Sequence, residues 1–246
     1  MYPGTAGARI VREELHAMTI LIPEKHIAEA IARLEARRKK SAARSDVGPR
    51  PQIITLSRDY GTEGRVIGEM VAKKLGFSFW DREILDVLAG QSGWKLQARM
   101  FEALDEKAQG AIDAIVADFF GGLEKHNYFH LLPKAIFTIA QEDAVIVGRG
   151  AHLILPDVFR VKIEASLATR VQAVAALEGM PEKTARQKVR RIDKERAGFI
   201  RELGSIIAVG TDMIEYDLRI NTDHISSKNA AQTIIDAFER TLKDRK

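Results

Sequence analysis

The chain of 246 residues is 46% hydrophobic with a net charge of +4, enough apolar material for one substantial core plus an appendage but not for two full domains. It has no cysteine, which excludes disulfides and thiolate metal sites. No apolar run approaches the ~20 residues of a membrane-spanning helix, and "MTILIP" is too short for a signal-peptide core, so the expectation is a soluble, cytoplasmic protein with no membrane partner.

Residues 1–50 read as an appendage. After Pro23, the positions Ile27, Ala30, Ile31 and Leu34 recur at helical spacing, predicting one amphipathic helix. "SAARSDVGPRP" then breaks the pattern as a linker, and Met18 stands as an alternative start to Met1. The stretch Arg33 to Arg50 holds seven cations against Glu35 and Asp46, a local +5, so the remaining chain carries −1. The charge therefore belongs to one segment. Without interleaved aromatic residues it argues for a solvated helix end rather than a nucleic-acid site, and it leaves a protein partner for the N-terminal helix as an expectation.

From Pro51 to Lys246 short apolar runs alternate with helical patterns. Ile53–Leu56, Phe77–Trp80, Ala144–Val147, Val158–Ile163 and Leu218–Asn221 are the strand candidates. Helices are expected over Arg65–Leu75, Arg82–Ala89, Phe101–Leu123, Tyr128–Gln141, Leu167–Glu178, Pro181–Leu203 and Lys228–Lys243, with Gly121-Gly122 dividing the longest region. Continuous apolar strands separated by helices imply an α/β fold, a mainly parallel sheet with helices on both faces.

Ligands of such a sheet bind beyond the carboxyl ends of its strands. "SRDYGTEGR", "DRE", "GRGAH", "EASLATR" and "NTDH" all fall there. Arginines aimed at one crevice suit phosphate, because the guanidinium fork matches two phosphate oxygens. In the first loop the glycines let backbone N–H groups face an anion, and the following helix adds its positive end. The GxxxxGK(S/T) lysine is missing: Gly64 holds its place, and Arg65 and Arg58 are the replacement cations. Glu63 sets a carboxylate where phosphates would sit, and at ~4 Å two like charges repel by about 4 kcal/mol at an effective dielectric of 20. Pairing with Arg58 or Arg65, turning outward, or binding magnesium would relieve it. Asp81 fits either a helix N-cap or a ligand. Arg149 lies between Gly148 and Gly150, at an edge where loops carry function. Arg186, Arg190 and Lys194 share one helix face. No metal-ligand spacing is found among the six histidines (His126 and His130 read as surface or packing residues), and Phe119, Phe120, Phe129 and Phe137 read as core.

Taken in order, "ITLSRDYGTEGRVIG", "FWDREIL", "VIVGRGAHLIL", "DKERAGF" and "YDLRINT" resemble the cytidylate kinase-like family over about residues 52–240. The resemblance implies a three-layer P-loop NTPase-type sheet with a helical basic lid at about 181–204, and transfer of ATP's terminal phosphoryl group to CMP or dCMP. By resemblance, Arg58, Gly61, Thr62, Glu63, Gly64 and Arg65 hold the donor phosphates. Asp81, Arg82 and Arg149 hold the acceptor, and Arg65, Lys194 and Arg196 serve the transfer. The family's loop resembles Tyr-Gly-Ser-Gly-Gly-Arg, so the absent lysine is a family trait and Glu63 is a departure. Gly150 is another: it stands where related enzymes carry an aspartate. ATP and nucleotide substrates are implied, and so is magnesium, though Arg65 occupies its usual Ser/Thr ligand position and no ligand is named. The other reading, in which Glu63 and Gly150 mark a nucleotide-binding regulatory protein without turnover, stays open.

Overall fold

The structure is a computed structural model that describes Glu29, Ala32, Arg33 and Ala36 and residues 50–89, 94–104, 106–120, 128–207 and 215–244. In chain order these form β1 (Ile53–Arg58), α1 (Gly64–Leu75), β2 (Ser78–Trp80), α2 (Arg82–Ala89), α3 (Trp94–Glu102), α4 (Glu106–Phe120), α5 (Tyr128–Ile139) and β3 (Ala144–Val147). Next come α6 (Ala151–Ile154), β4 (Phe159–Glu164), α7 (Leu167–Glu178), α8 (Glu182–Ile206), β5 (Leu218–Asn221) and α9 (Ser227–Asp244). The five strands form one parallel sheet in the order β2-β3-β1-β4-β5.

The expected alternation is present, and each strand candidate lands within two residues of an observed strand. One helix boundary differs. The region read as Phe101–Leu123 is two helices, α3 and α4, because the chain turns at Ala103–Leu104, where Gln109 Nε2 donates to the Leu104 carbonyl at 2.9 Å. Gly121-Gly122 lie outside the described residues, as do Met18, His126 and the run Arg37–Lys40.

Side chains alternate across the sheet. Ile54, Leu56, Val145, Val147, Val161 and Ile163 pack with α1 and α9 on one face. Ile53, Ala144 and Ile146 join α2 to α5 on the other. β3 is buried along its whole length, as a central parallel strand with both faces covered should be. β4 departs from that pattern: Arg160, Lys162 and Glu164 alternate with buried Phe159, Val161 and Ile163, so one of its faces is polar. α7 and α8 form a hairpin with its own small apolar seam, Val171, Val174, Ala185 and Val189.

In the appendage Glu29, Ala32, Arg33 and Ala36 are helical, and Arg33 forks onto the Glu142 carboxylate at 2.9 and 3.1 Å. Glu142 precedes β3, at the amino-terminal edge of the sheet. The loops of interest lie at the opposite edge.

Candidate functional site

β1 delivers Arg58 to the carboxyl edge. The loop behind it is closed by Thr62 Oγ1, which donates to the Asp59 carbonyl at 2.9 Å. Gly61 has φ 86°, and a Cβ there would lie 2.8 Å from the Arg170 carbonyl, so only glycine lets α7 approach this closely. Gly64 opens α1, and a Cβ on it would lie 2.8 Å from the stem of Arg58. A Cβ on Gly148 would lie 2.7 Å from Arg58 Nη1. The Arg58 side chain thus runs from the first loop to the turn after β3. It makes no ion pair with any described carboxylate. Burial, then the charge of Arg196, pushes its pKa down to about 10.

The turn after β3 holds the second arginine. Gly148, Arg149 and Gly150 have φ of 89°, 52° and 70°, and a non-glycine residue held at positive φ is a constrained position. Arg149 Nη2 pairs with Asp86. The same carboxylate accepts from Tyr128 Oη at 2.6 Å and Arg82 Nε at 3.4 Å, and burial and Asp86 raise the Tyr128 pKa. The guanidinium of Arg149 lies over Phe199 (5.0 Å) and Tyr128 (5.8 Å), a cation–π arrangement. A Cβ on Gly150 would collide with Leu203 of α8. The glycine at this position is therefore where α8 meets the turn.

Both arginines border one cavity of about 440 Å³, within the range of small-molecule sites. Six cationic side chains line it: Arg58, Arg82, Arg149, Lys162, Arg170 and Arg196. Three carboxylates, Asp59, Asp193 and Glu195, share the wall. Lys162 pairs with Asp59 at 2.5 Å and Arg170 with Asp193 at 2.6 Å. Arg82 shares the Asp86 carboxylate with Arg149, so the surplus falls on Arg58 and Arg196, and burial and Arg82 lower the Arg196 pKa. Cations in excess of their counterions suit an anionic, phosphate-bearing ligand. Among the described residues no group of three His, Asp or Glu could hold a metal ion, and the carboxylates Asp59 and Asp193 are each already held by a cation.

The remaining expected site residues are placed as follows. Glu63 turns away from the cavity and accepts from Ser227 Oγ at the start of α9, so the outward option among its reliefs is the one observed. Arg65 pairs with Asp81 at 2.8 Å and approaches Glu83 at 3.8 Å. It is not on the cavity wall, although its charge reaches Arg58. Asp81 is buried and caps α2, accepting from the Glu83 amide at 3.0 Å. On α8, Arg196 faces the cavity and donates to the Arg58 carbonyl at 2.9 Å, whereas Lys194, Arg186 and Arg190 are exposed on its outer surface. Asp217 accepts from the Arg160 amide at 2.6 Å.

Asp86, Tyr128, Phe199, Lys162, Arg170, Asp193 and His152 are additions that sequence reasoning missed. Asp86 carried a signal, standing four residues after Arg82 on one helix; the aromatic pair carried none, since only the fold unites them. His152 is buried. Its Nδ1 is 3.1 Å from Ser57 Oγ and its Nε2 3.5 Å from Tyr216 Oη, and its ring stacks on Tyr216 at 5.6 Å. Burial, then the charges of Arg160 and Lys162, push its pKa down to about 4, so the imidazole is neutral at pH 7.

A model described as the cytidylate kinase-like family matches residues 53–224. The chain belongs to the cytidylate kinase-like family. Membership supports nucleotide-dependent phosphoryl transfer as the class of activity. No curated protein sequence matches the chain. In fold it is similar to an uncharacterized protein from Eubacterium ventriosum, at 22% identity and a TM-score of 0.58 over 77% of this chain and 98% of that one. A shikimate kinase from Bacteroides thetaiotaomicron aligns at 15% identity and a TM-score of 0.41, over 78% of this chain and 98% of its own. A gluconokinase from Sinorhizobium meliloti aligns at 12% and 0.40, over 79% and 95%. The first of these likenesses supports the parallel α/β fold and nothing further. No helix among the described residues is long and apolar enough to cross a membrane.

Proposed function

We propose that this protein transfers the terminal phosphoryl group of ATP to a nucleoside monophosphate, with CMP or dCMP as acceptor. The convergence of six cationic side chains on one cavity beside the β1–α1 loop carries the reading. Arg58 and the amides from Gly61 to Arg65 take the donor phosphates, with Thr62 holding the loop closed. Arg82 and Arg149 take the acceptor phosphate, their guanidinium groups oriented by Asp86. Arg65 steadies the acceptor side through Asp81. Arg196, already over the loop, is the lid cation assigned to the transferring group. Lys194 stands on the outer face of the same helix and would add long-range positive charge.

Magnesium, when bound with ATP, would neutralise charge between the terminal phosphates; no residue is assigned to it. The chain contributes position and electrostatics, the terms that dominate phosphoryl transfer. An acceptor phosphate is largely deprotonated at pH 7, its second pKa being about 6, so no general base is required. His152, neutral and committed to two hydroxyl groups, fits that arrangement.

The test is an ADP-release assay across the common nucleoside monophosphates. Turnover is expected with CMP and dCMP. ATP binding without turnover on any of them would instead favour a nucleotide-binding regulatory protein. The turn of Glu63 toward Ser227 supports the kinase reading over the second one.

A further inference from the structure

We infer that Tyr60 is a positioning residue: it clamps the lid helix to the donor loop and sets Arg196 over the cavity. The inference rests on the phosphoryl-transfer reading above.

Tyr60 reaches the α7–α8 hairpin through every part of its structure. Its amide N–H donates to Asp193 Oδ1 of α8 at 3.4 Å, a long bond. Its carbonyl accepts from Arg170 Nη1 at 3.2 Å, and that same nitrogen pairs with the other oxygen of Asp193 at 2.6 Å. Tyr60 Oη donates to Glu178 at the end of α7 at 2.8 Å, and the second Glu178 oxygen accepts from Lys188 of α8. The ring packs against the apolar seam of the hairpin, and the Arg196 guanidinium lies over it, 5.4 Å from its centre. Arg196 donates in turn to the carbonyl of Arg58, two residues before Tyr60.

Tyr60 does not line the cavity, so it acts through Arg196 rather than on substrate. A guanidinium on a long flexible stem loses rotamer freedom when fixed, at up to about 2 kcal/mol. The ring and the Arg58 carbonyl fix it in advance, which is preorganisation. Disorder in Arg196 would slow transfer more than it would weaken binding of either nucleotide, because the other cavity cations remain.

Three full-length variants test this. Tyr60→Phe keeps the ring and loses the Glu178 bond. Tyr60→Leu removes the ring but keeps the backbone contacts. Arg196→Lys keeps the charge, loses the planar stacking and leaves the loop untouched. Tyr60→Leu and Arg196→Lys are each expected to lower kcat about five- to tenfold with both KM values within about twofold, and Tyr60→Phe to keep at least about half of it. Added to Arg196→Ala, Tyr60→Leu should cost less than about twofold more, the signature of residues acting as one unit. Amide exchange over residues 190–200 should quicken in Tyr60→Leu and not in Tyr60→Phe. Equal losses with and without Arg196, a Phe variant as slow as the Leu variant, full activity in Arg196→Lys, or unaltered exchange would overturn the inference. Wild-type protein inactive on every monophosphate, with the exchange result as stated, would defeat the functional reading and leave the clamp standing.

Discussion

Arg58 and Arg149 leave neighbouring strands at the same edge of the sheet, yet they are held by opposite means. Arg149 is compensated: a carboxylate faces it, two aromatic rings flank it, and its backbone is fixed at φ 52°. Arg58 is bare of any direct ion pair: it is threaded between glycines with another arginine at its carbonyl, Asp81 opposes its charge only through space, and burial and Arg196 push its pKa down to about 10. A compensated cation keeps its geometry with or without ligand. A bare one is a standing demand for an anion. Under the proposed function, this contrast gives the β1–α1 loop the stronger pull on a polyphosphate and the turn after β3 the finer orientation.

The most severe way to break this contrast is Arg58→Met. Loss of a preorganised cation of this kind should weaken ATP-dependent turnover by about a hundredfold or more, while the melting temperature holds or rises because a half-buried cation with no direct ion pair is gone. A drop in both would mean that Arg58 is structural. Asp86→Asn attacks the compensated side. It should raise the acceptor KM about tenfold with the donor KM unmoved, and cost ~1–3 kcal/mol of stability in denaturant titration, since a charged acceptor of three hydrogen bonds is weakened.

The pH dependence extends the contrast to His152, which would face Arg160 and Lys162 if protonated. Its folded pKa is depressed to about 4 from 6.5, so the unfolded chain binds more protons between those values. Its contribution is full above pH 6.5 and is lost as pH falls toward 4, with a slope of at most about 1.4 kcal/mol per pH unit. His152→Gln should flatten the stability difference measured between pH 7 and pH 5. The smallest expected effect is that of Glu63→Gly. The carboxylate is exposed and engaged by Ser227, and exposed pairs contribute about 0–1 kcal/mol, so ATP affinity measured by calorimetry should move less than about threefold.

Much of the scaffold was legible because β1 and β3 contain short apolar runs between punctuated helices, and periodicity reports burial directly. The arginines were legible for a related reason: strand ends fix where the next residue points. The partners were not. Asp86 meets Arg149 across 63 residues of sequence, and Tyr128 and Phe199 meet around it from separate helices. No local pattern encodes such encounters. Which of the reliefs open to Glu63 is taken was illegible for the same reason, since its partner Ser227 lies 164 residues away. Within the lid region, spacing singled out Arg186, Arg190 and Lys194, but the buried seam of Ala185 and Val189 turns that row outward.

The seam beneath that hairpin is small and separate from the two apolar layers sandwiching the sheet. Segments with a minor core of their own open at lower free energy than the body they rest on. Gentle warming should therefore release α7 and the amino-terminal half of α8 first, while Leu203 keeps the far end of α8 in the main core, so that phosphoryl-transfer activity fails before the body melts and returns on cooling.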